Sequence, residues 1–137
     1  MHNNINNNTM ATVVPELCIC ANFNYDRNED ISRIVGKSRF PVHHLCFNDP
    51  TVEFAEVKAS GKPIILLALG PKSHAAIKFL SDDYDKPQSE RRLKWLHCCS
   101  AGLDFYGLPK LAKELEGVLI TNVKGGYNFL LAQHVVY

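Results

Sequence analysis

The sequence predicts a single α/β domain built on a parallel sheet. From Pro15 onward, short apolar runs alternate with helix-like segments, which is typical of parallel α/β proteins. The uninterrupted apolar run from Ile64 to Leu69 suits a central strand that is covered on both faces. A chain of 137 residues is long enough for one domain that buries roughly two-thirds of its unfolded surface. These three observations fix the fold class before any motif is considered.

Five strands are predicted from the apolar runs, over residues 17–23, 40–47, 64–69, 93–99 and 118–123. Between the first two strands, Asn28 is the candidate N-cap of a short helix that Gly36 closes. A second helix over 52–59 ends at Gly61, and Pro63 opens the third strand. The connections on this side of the chain therefore predict helices between successive strands.

The later connections follow the same pattern. Ser73 is predicted to cap a helix that runs to Leu80, and the polar stretch 81–90 is predicted to be a loop whose charges face water. A helix over 108–115 has Pro109 in its first turn and Gly117 just past its end. The amphipathic segment 128–137 has no C-cap and stops at Tyr137, so the last helix is predicted to be incomplete.

Composition limits the classes of function. Residues 1–14 contain an Asn-rich tract that is predicted to be a disordered tail, and residues 15–137 form the domain. Fifteen basic and fourteen acidic side chains give a net charge of +1, which argues against a nucleic-acid partner. No apolar run approaches the roughly 18 residues of a membrane span, and no secretory signal is recognised, so no membrane association and a cytoplasmic location are expected.

The five cysteines are predicted to pack in the core of a reduced protein, with a metal-binding or redox function as the lesser alternative. They lie mostly in apolar runs, where a free cysteine behaves as a small hydrophobic residue. Cys18 and Cys20 share one face of a strand, whereas Cys98 and Cys99 point to opposite faces. Neither pair has the C-x2-C spacing of the hairpins that bind zinc.

The candidate site is the loop that follows the fourth predicted strand. Ser100, Ala101 and Gly102 are small residues that leave their backbone N–H groups uncovered, as a carboxylate-binding loop requires. The alternative is a tight connection without a ligand. Asp104 is predicted to cap the next turn through its carboxylate rather than to act as a base. His97 is predicted to be a hydrogen-bonded core histidine, and one of His43 and His44 must face away from the core.

Four blocks of sequence carry a resemblance to a known family. They are residues 93–96 (Leu-Lys-Trp-Leu), 100–104 (Ser-Ala-Gly-Leu-Asp), 117–123 (Gly-Val-Leu-Ile-Thr-Asn-Val) and 132–136 (Ala-Gln-His-Val-Val). In content and spacing they resemble the D-isomer-specific 2-hydroxyacid dehydrogenases. The specific match covers about the last third of the chain, while residues 15–80 agree only in the order of strands and helices.

The resemblance implies an N-terminal substrate-binding domain with a flavodoxin-like parallel five-stranded sheet and helices on both faces. In the family this domain packs against a Rossmann domain that carries NAD or NADP. Ala101 and Gly102 match the positions whose amides bind the carboxylate of a small 2-keto or 2-hydroxy acid, with Ser100 and Leu103 beside them. Tyr127, in the loop 123–127, matches a position that lines the same cleft.

The chain departs from the family in ways that bear on activity. Gln133 replaces the usual Glu, and His134 is not the catalytic histidine of the family. No G-x-G-x-x-G turn follows any strand, since Gly125-Gly126 lacks the third glycine. The family's Arg, Glu and catalytic His correspond to positions beyond Tyr137. The chain is therefore predicted to be truncated, to contain no catalytic residue, to bind no cofactor alone and to be inactive alone.

Two functions remain open at this point. One is the substrate-binding portion of an NAD(P)-dependent oxidoreductase that acts on the CH–OH group of D-2-hydroxy acids. The alternative is a catalytically dead, stand-alone α/β binding or interaction module. In either case the apolar side chains of 128–137 predict self-association, hence a homo-oligomer.

Overall fold

The computed structural model describes residues 13–21, 33, 36–37, 42–46 and 48–125. It confirms an α/β fold with a parallel sheet. The strands are β1 (Glu16–Ala21), β2 (Val42–Cys46), β3 (Ile64–Leu69), β4 (Leu93–Cys98) and β5 (Leu119–Asn122). The helices are α1 (Pro50–Glu53), α2 (Ala55–Ser60) and α3 (Ser73–Leu80), followed by two 3-10 helices, Asp104–Tyr106 and Leu108–Leu111.

The order of strands across the sheet is β2-β1-β3-β4-β5, and every neighbouring pair is parallel. The carboxyl ends of the strands therefore meet at one edge of the sheet, and the loops that follow them lie side by side. One row of register partners runs from Cys46 through Cys20, Ala68 and Cys98 to Asn122, close to that edge. This row positions the loop after β4 between the ends of β3 and β5.

The main hydrophobic cluster of the described residues lies on one face of the sheet, while Ile19 and Ala21 of β1 are buried on the other. On β3, Ile64, Leu66 and Ala68 are completely buried, whereas the alternate residues Ile65 and Leu67 are half-buried. The buried face packs against side chains from the helices and from the segment after β4. The continuous apolar run therefore gives a central strand, as predicted, but its two faces are unequally covered. The helix and loop residues in this core are Phe54, Val57, Ala76, Ile77, Leu80, Tyr106, Leu108, Leu111 and Leu115.

Two predicted helices take a different form. The helix expected over 52–59 is divided at Phe54 (φ −103°, ψ 14°) into α1 and α2, although Gly61 ends it in the left-handed conformation as predicted. The helix expected over 108–115 is a 3-10 turn that gives way to turns up to Gly117. Leu108, Leu111 and Leu115 are still buried in the core, although the segment that carries them is not a complete helix.

The structure corrects the predicted cap of α3. Lys72 holds the N-cap position, without a side-chain cap hydrogen bond. Ser73 lies inside the first turn, where its buried hydroxyl donates to the Cys20 carbonyl oxygen at 3.3 Å. A serine hydroxyl can cap a helix or donate to a nearby backbone carbonyl, and here it donates to a carbonyl oxygen of β1.

The predicted strand and helix content of residues 22–32, the Asn-rich tail up to residue 12, Tyr127 and the segment 128–137 lie outside the described residues. Within the described ranges, none of the helices has the length and apolar character needed to cross a membrane.

The cysteines confirm the prediction of core packing. Cys18, Cys20, Cys46 and Cys98 are buried and Cys99 is half-buried, and all five are free thiols. Burial raises the pKa of Cys18 to about 12 and of Cys46 to about 12, and burial together with Cys99 raises that of Cys98 to about 11. The folded state therefore strongly favours the protonated thiols.

Because the folded state favours protonated thiols, we expect the protein to lose stability at alkaline pH. A raised thiol pKa stabilises the fold fully below the unfolded value, near 8.5, and that stabilisation is lost as the pH rises toward the folded values. The free energy of unfolding should thus fall above pH ~9, as urea titrations at a series of pH values would measure.

In native protein, iodoacetamide should label Cys99 before the four buried cysteines, and peptide mass spectrometry would resolve the labelled sites. Labelling of Cys18 as fast as Cys99 in native protein, with equal labelling in denaturant as the control, would contradict this expectation.

Candidate functional site

The loop after β4, here called the β4 loop, comprises residues 99–103 and is anchored from three sides. The Cys99 N–H donates to the Ala68 carbonyl oxygen at 3.0 Å, which continues the pairing with β3. The Ser100 hydroxyl donates to Tyr106 Oη at 3.0 Å. Asn122 Nδ2, at the end of β5, donates to the Ala101 carbonyl oxygen at 2.8 Å. These bonds fix the direction of the loop backbone at the carboxyl edge of the sheet.

The anchors leave the N–H groups of Ala101 and Gly102 without an acceptor in the described part of the protein. Both residues are exposed, as is Leu103, whereas Ser100 is half-buried. The structure therefore brings the predicted residues Ser100, Ala101, Gly102 and Leu103 together in one loop. Adjacent N–H donors that are held in place and open to solvent can bind the oxygens of a carboxylate.

Gly102 is not required by the conformation of the unliganded loop. It lies outside the set of glycines with positive φ, and a Cβ atom at this position would meet nothing within 4 Å. An alanine would therefore fit the loop as it stands. What glycine provides is open access to the backbone N–H groups, which agrees with the close approach of a ligand.

Tyr106 connects the β4 loop to α3. Its ring is buried, with 1% of its surface exposed. Its hydroxyl oxygen accepts from the Ser100 hydroxyl at 3.0 Å, and its carbonyl oxygen accepts from His74 Nδ1 at 2.9 Å. Burial is the main reason why the pKa of Tyr106 is raised. The residue thus joins the β4 loop to the first turn of α3.

Two of the positioning residues were missed by the sequence argument. Tyr106 follows the loop within a short 3-10 helix, and nothing in the local pattern predicts a bond back to Ser100. Asn122 could have been found from the sequence, because it is a polar residue near the end of the predicted strand 118–123, and the observed strand β5 ends at it beside β4. A polar side chain at that place reaches the loop of the adjacent strand.

The predictions for His97 and Asp104 had different outcomes. His97 Nδ1 lies 2.8 Å from Thr121 Oγ1, so the predicted hydrogen bond is confirmed, although the ring is half-buried. Trp95 Nε1 donates to the same Thr121 oxygen at 2.8 Å. The prediction that Asp104 caps the next turn is wrong. The 3-10 helix begins at Asp104 itself, with Leu103 as N-cap and no side-chain cap bond.

The chemistry of the site is that of neutral donors. The β4 loop itself contains no charged side chain, so its attraction for an anion comes from backbone dipoles and the Ser100 hydroxyl. Within the ranges the structure describes, no group of three or more His, Cys, Asp or Glu side chains is placed to hold a metal ion. The arrangement can bind and orient an acid.

Comparison with protein-family models, with curated proteins and with solved structures finds no match to this chain. Fold and site together define a parallel α/β protein that presents an exposed donor loop at the carboxyl edge of its sheet.

Proposed function

We propose that this chain is the substrate-binding domain of an NAD(P)-dependent D-2-hydroxyacid dehydrogenase. In this proposal the β4 loop binds the carboxylate of a small 2-oxo or 2-hydroxy acid. The observation that carries the proposal is the pair of exposed Ala101 and Gly102 N–H groups on a loop that Ala68, Tyr106 and Asn122 hold in place. Such donors match a planar carboxylate and need no reorganisation on binding.

The order of strands supports a flavodoxin-like five-stranded sheet as the finer description of the fold. The order β2-β1-β3-β4-β5 is the one found in flavodoxin-like proteins. In such sheets ligands bind outside the carboxyl ends of the strands, which is the edge where the β4 loop lies. The family resemblance of residues 100–104 and 117–123 adds to this, because those blocks supply the loop and the neighbouring strand β5.

The described residues do not fit a dinucleotide. A bound pyrophosphate needs a glycine-rich turn between a strand and a helix. The turn after β3 has Pro71 and Lys72 behind a single glycine, and the β4 loop has only Gly102. No step of hydride transfer is therefore assigned to these residues. Their proposed contribution is to bind the acid and to hold its carboxylate in one orientation.

The alternative is a binding module without chemistry of its own. The same loop favours it, since anion binding by backbone N–H groups does not depend on a catalytic partner. The two proposals share the carboxylate contact and differ in whether a dehydrogenase partner domain uses it. If pairing the chain with a separately produced family Rossmann domain yields pyruvate reduction by NADH, the dehydrogenase assignment is supported; anion binding without reduction favours the module.

Gly102→Ala tests the carboxylate contact directly. The variant should fold as the wild type does, because a Cβ at this position meets nothing within 4 Å. The added methyl group should obstruct the donors and weaken pyruvate binding by about tenfold, equivalent to ~1.4 kcal/mol. The measurement is the shift of the Ala101 and Gly102 amide resonances in ¹⁵N NMR as pyruvate is added.

Gly36→Ala is the matched control, since a Cβ at Gly36 also meets nothing within 4 Å and the residue is exposed. It should bind pyruvate as the wild type does. Absence of any loop amide shift in the wild type would refute the proposed function. Wild-type affinity in the Gly102→Ala variant would place the anion elsewhere.

A further inference from the structure

The hydroxyl of Tyr106 has an arrangement of partners that bears on the carboxylate site. The inference drawn from it rests on the proposed function and deepens it. Tyr106 Oη accepts from Ser100 Oγ, which lies 3.0 Å away, in a side chain that is 1% exposed. Both groups are hydroxyls, so each oxygen can donate its own proton and can also accept one.

The hydrogen bond between these two hydroxyls can run in either direction. In the unliganded loop Ser100 donates to Tyr106. When a carboxylate lies against the β4 loop, the Ser100 proton can turn to it, and the Tyr106 proton then donates to Ser100 Oγ. A hydroxyl group accepts and donates at the same time, so both arrangements leave Ser100 with a partner. No heavy atom has to move between them.

We propose that Tyr106 is a positioning residue of the carboxylate site. It holds the Ser100 hydroxyl so that Ser100 Oγ–H joins the Ala101 and Gly102 N–H groups as a third donor to the acid. The contact acts through Ser100, and Tyr106 does not touch the ligand. Hydrogen bonds from a hydroxyl to a carboxylate are charge-assisted and strong, and the donation by Tyr106 polarises the Ser100 proton further.

The ring of Tyr106 is fixed independently of this hydroxyl. Its backbone N–H donates to the Leu103 carbonyl oxygen at 3.1 Å, and His74 Nδ1 donates to its carbonyl oxygen at 2.9 Å. The Phe105 ring packs edge-on, with 5.2 Å between ring centroids. Removal of the hydroxyl alone should therefore leave the ring in place and withdraw only the support of Ser100.

The test is a double-mutant cycle on pyruvate affinity, measured from the Gly102 amide shift in the intact 137-residue chain. Tyr106→Phe should weaken binding by about tenfold in the wild-type background and by less than about twofold in the Ser100→Ala background. A variant that merely loosened the fold would weaken binding in both. Tyr84→Phe, which removes a hydroxyl far along the chain from the β4 loop, is the control and should bind as the wild type does.

A second measurement needs no change at Tyr106 and covers the case in which the variant does not fold. With ¹³C label on the tyrosine Cζ atoms, pyruvate should shift the Tyr106 resonance and leave that of Tyr84 unchanged. No loop amide shift in the wild type would overturn the proposed function, and the role of Tyr106 with it. Pyruvate binding with an unmoved Tyr106 resonance, or equal weakening in both backgrounds, would overturn the role of Tyr106 alone.

Discussion

Asp83→Ala is expected to lower the free energy of unfolding by about 3 kcal/mol, because it removes one partner of a buried ion pair. Asp83 is 7% exposed, and its Oδ2 accepts from the Arg92 backbone N–H at 2.9 Å and lies 3.6 Å from Arg92 Nε. Arg92 is itself mostly buried, so the substitution leaves a guanidinium group with reduced access to water. A buried charge without its counter-ion is costly.

The neighbouring residue supplies the control. Asp82 pairs with Lys58, but its side chain is 46% exposed and that of Lys58 is 32% exposed. Water screens this pair, so Asp82→Ala should cost no more than about 1 kcal/mol. Urea denaturation of the two variants gives both values. Equal losses at the two adjacent positions would show that the burial of the Asp83 pair does not determine its contribution.

The position of Asp83 also bears on the site. Its bonds to Arg92 close the segment between α3 and β4, and the Arg92 carbonyl oxygen accepts from the Ile64 N–H at 2.7 Å. This fixes where β4 begins relative to β3. The register of β4 in turn determines where the β4 loop emerges at the carboxyl edge.

The prediction that the charges of residues 81–90 face water is therefore wrong for Asp83. Its partner, Arg92, lies nine residues further along the chain. The composition of the loop does not show which of its acidic residues pairs with Arg92. Burial of one charge depends on such a pairing. The same limitation applies to Ser73, whose partner Cys20 is 53 residues away.

Features with a local cause were predictable. The strand from Ile64 to Leu69 has the predicted bounds, because an apolar run between Pro63 and Gly70-Pro71 leaves little freedom in where it starts and stops. The β4 loop was predictable for a similar reason, since small residues directly follow an apolar strand. The helix expected over 108–115 forms only a 3-10 helix over 108–111, and the Glu116 and Gly117 carbonyl oxygens beyond it accept from the distant side chains of Arg91 and Gln88.

The candidate site shows the same division. Ser100, Ala101 and Gly102 were found from their own sequence, whereas Tyr106 and Asn122 act through contacts that only the fold creates. A site of backbone donors has a weak sequence signal, because any small residue presents an N–H group. The residues that hold the donors in place distinguish a binding loop from a plain connection, and these are known only from the structure.

Gly107→Ala is expected to lower the free energy of unfolding by about 3 kcal/mol, from two separate causes. Gly107 has φ +67°, a conformation that L side chains rarely adopt, and a Cβ there would lie 2.7 Å from His74 Nδ1. The backbone strain costs about 1–2 kcal/mol and the clash with the imidazole about 1–3 kcal/mol. The displaced ring would also lose its bond to the Tyr106 carbonyl oxygen.

Gly61→Ala separates the two causes, because Gly61 has nearly the same φ, +68°, and a Cβ there meets nothing within 4 Å. This variant should show the strain alone, about 1–2 kcal/mol. The difference between the two variants in urea denaturation then measures the close approach of His74 to the backbone beside Tyr106. His74→Ala should remove that difference, since it takes away the atoms that the new methyl group would meet. If Gly107→Ala and Gly61→Ala lose equal stability with His74 present, His74 does not pack against Gly107 in the way described.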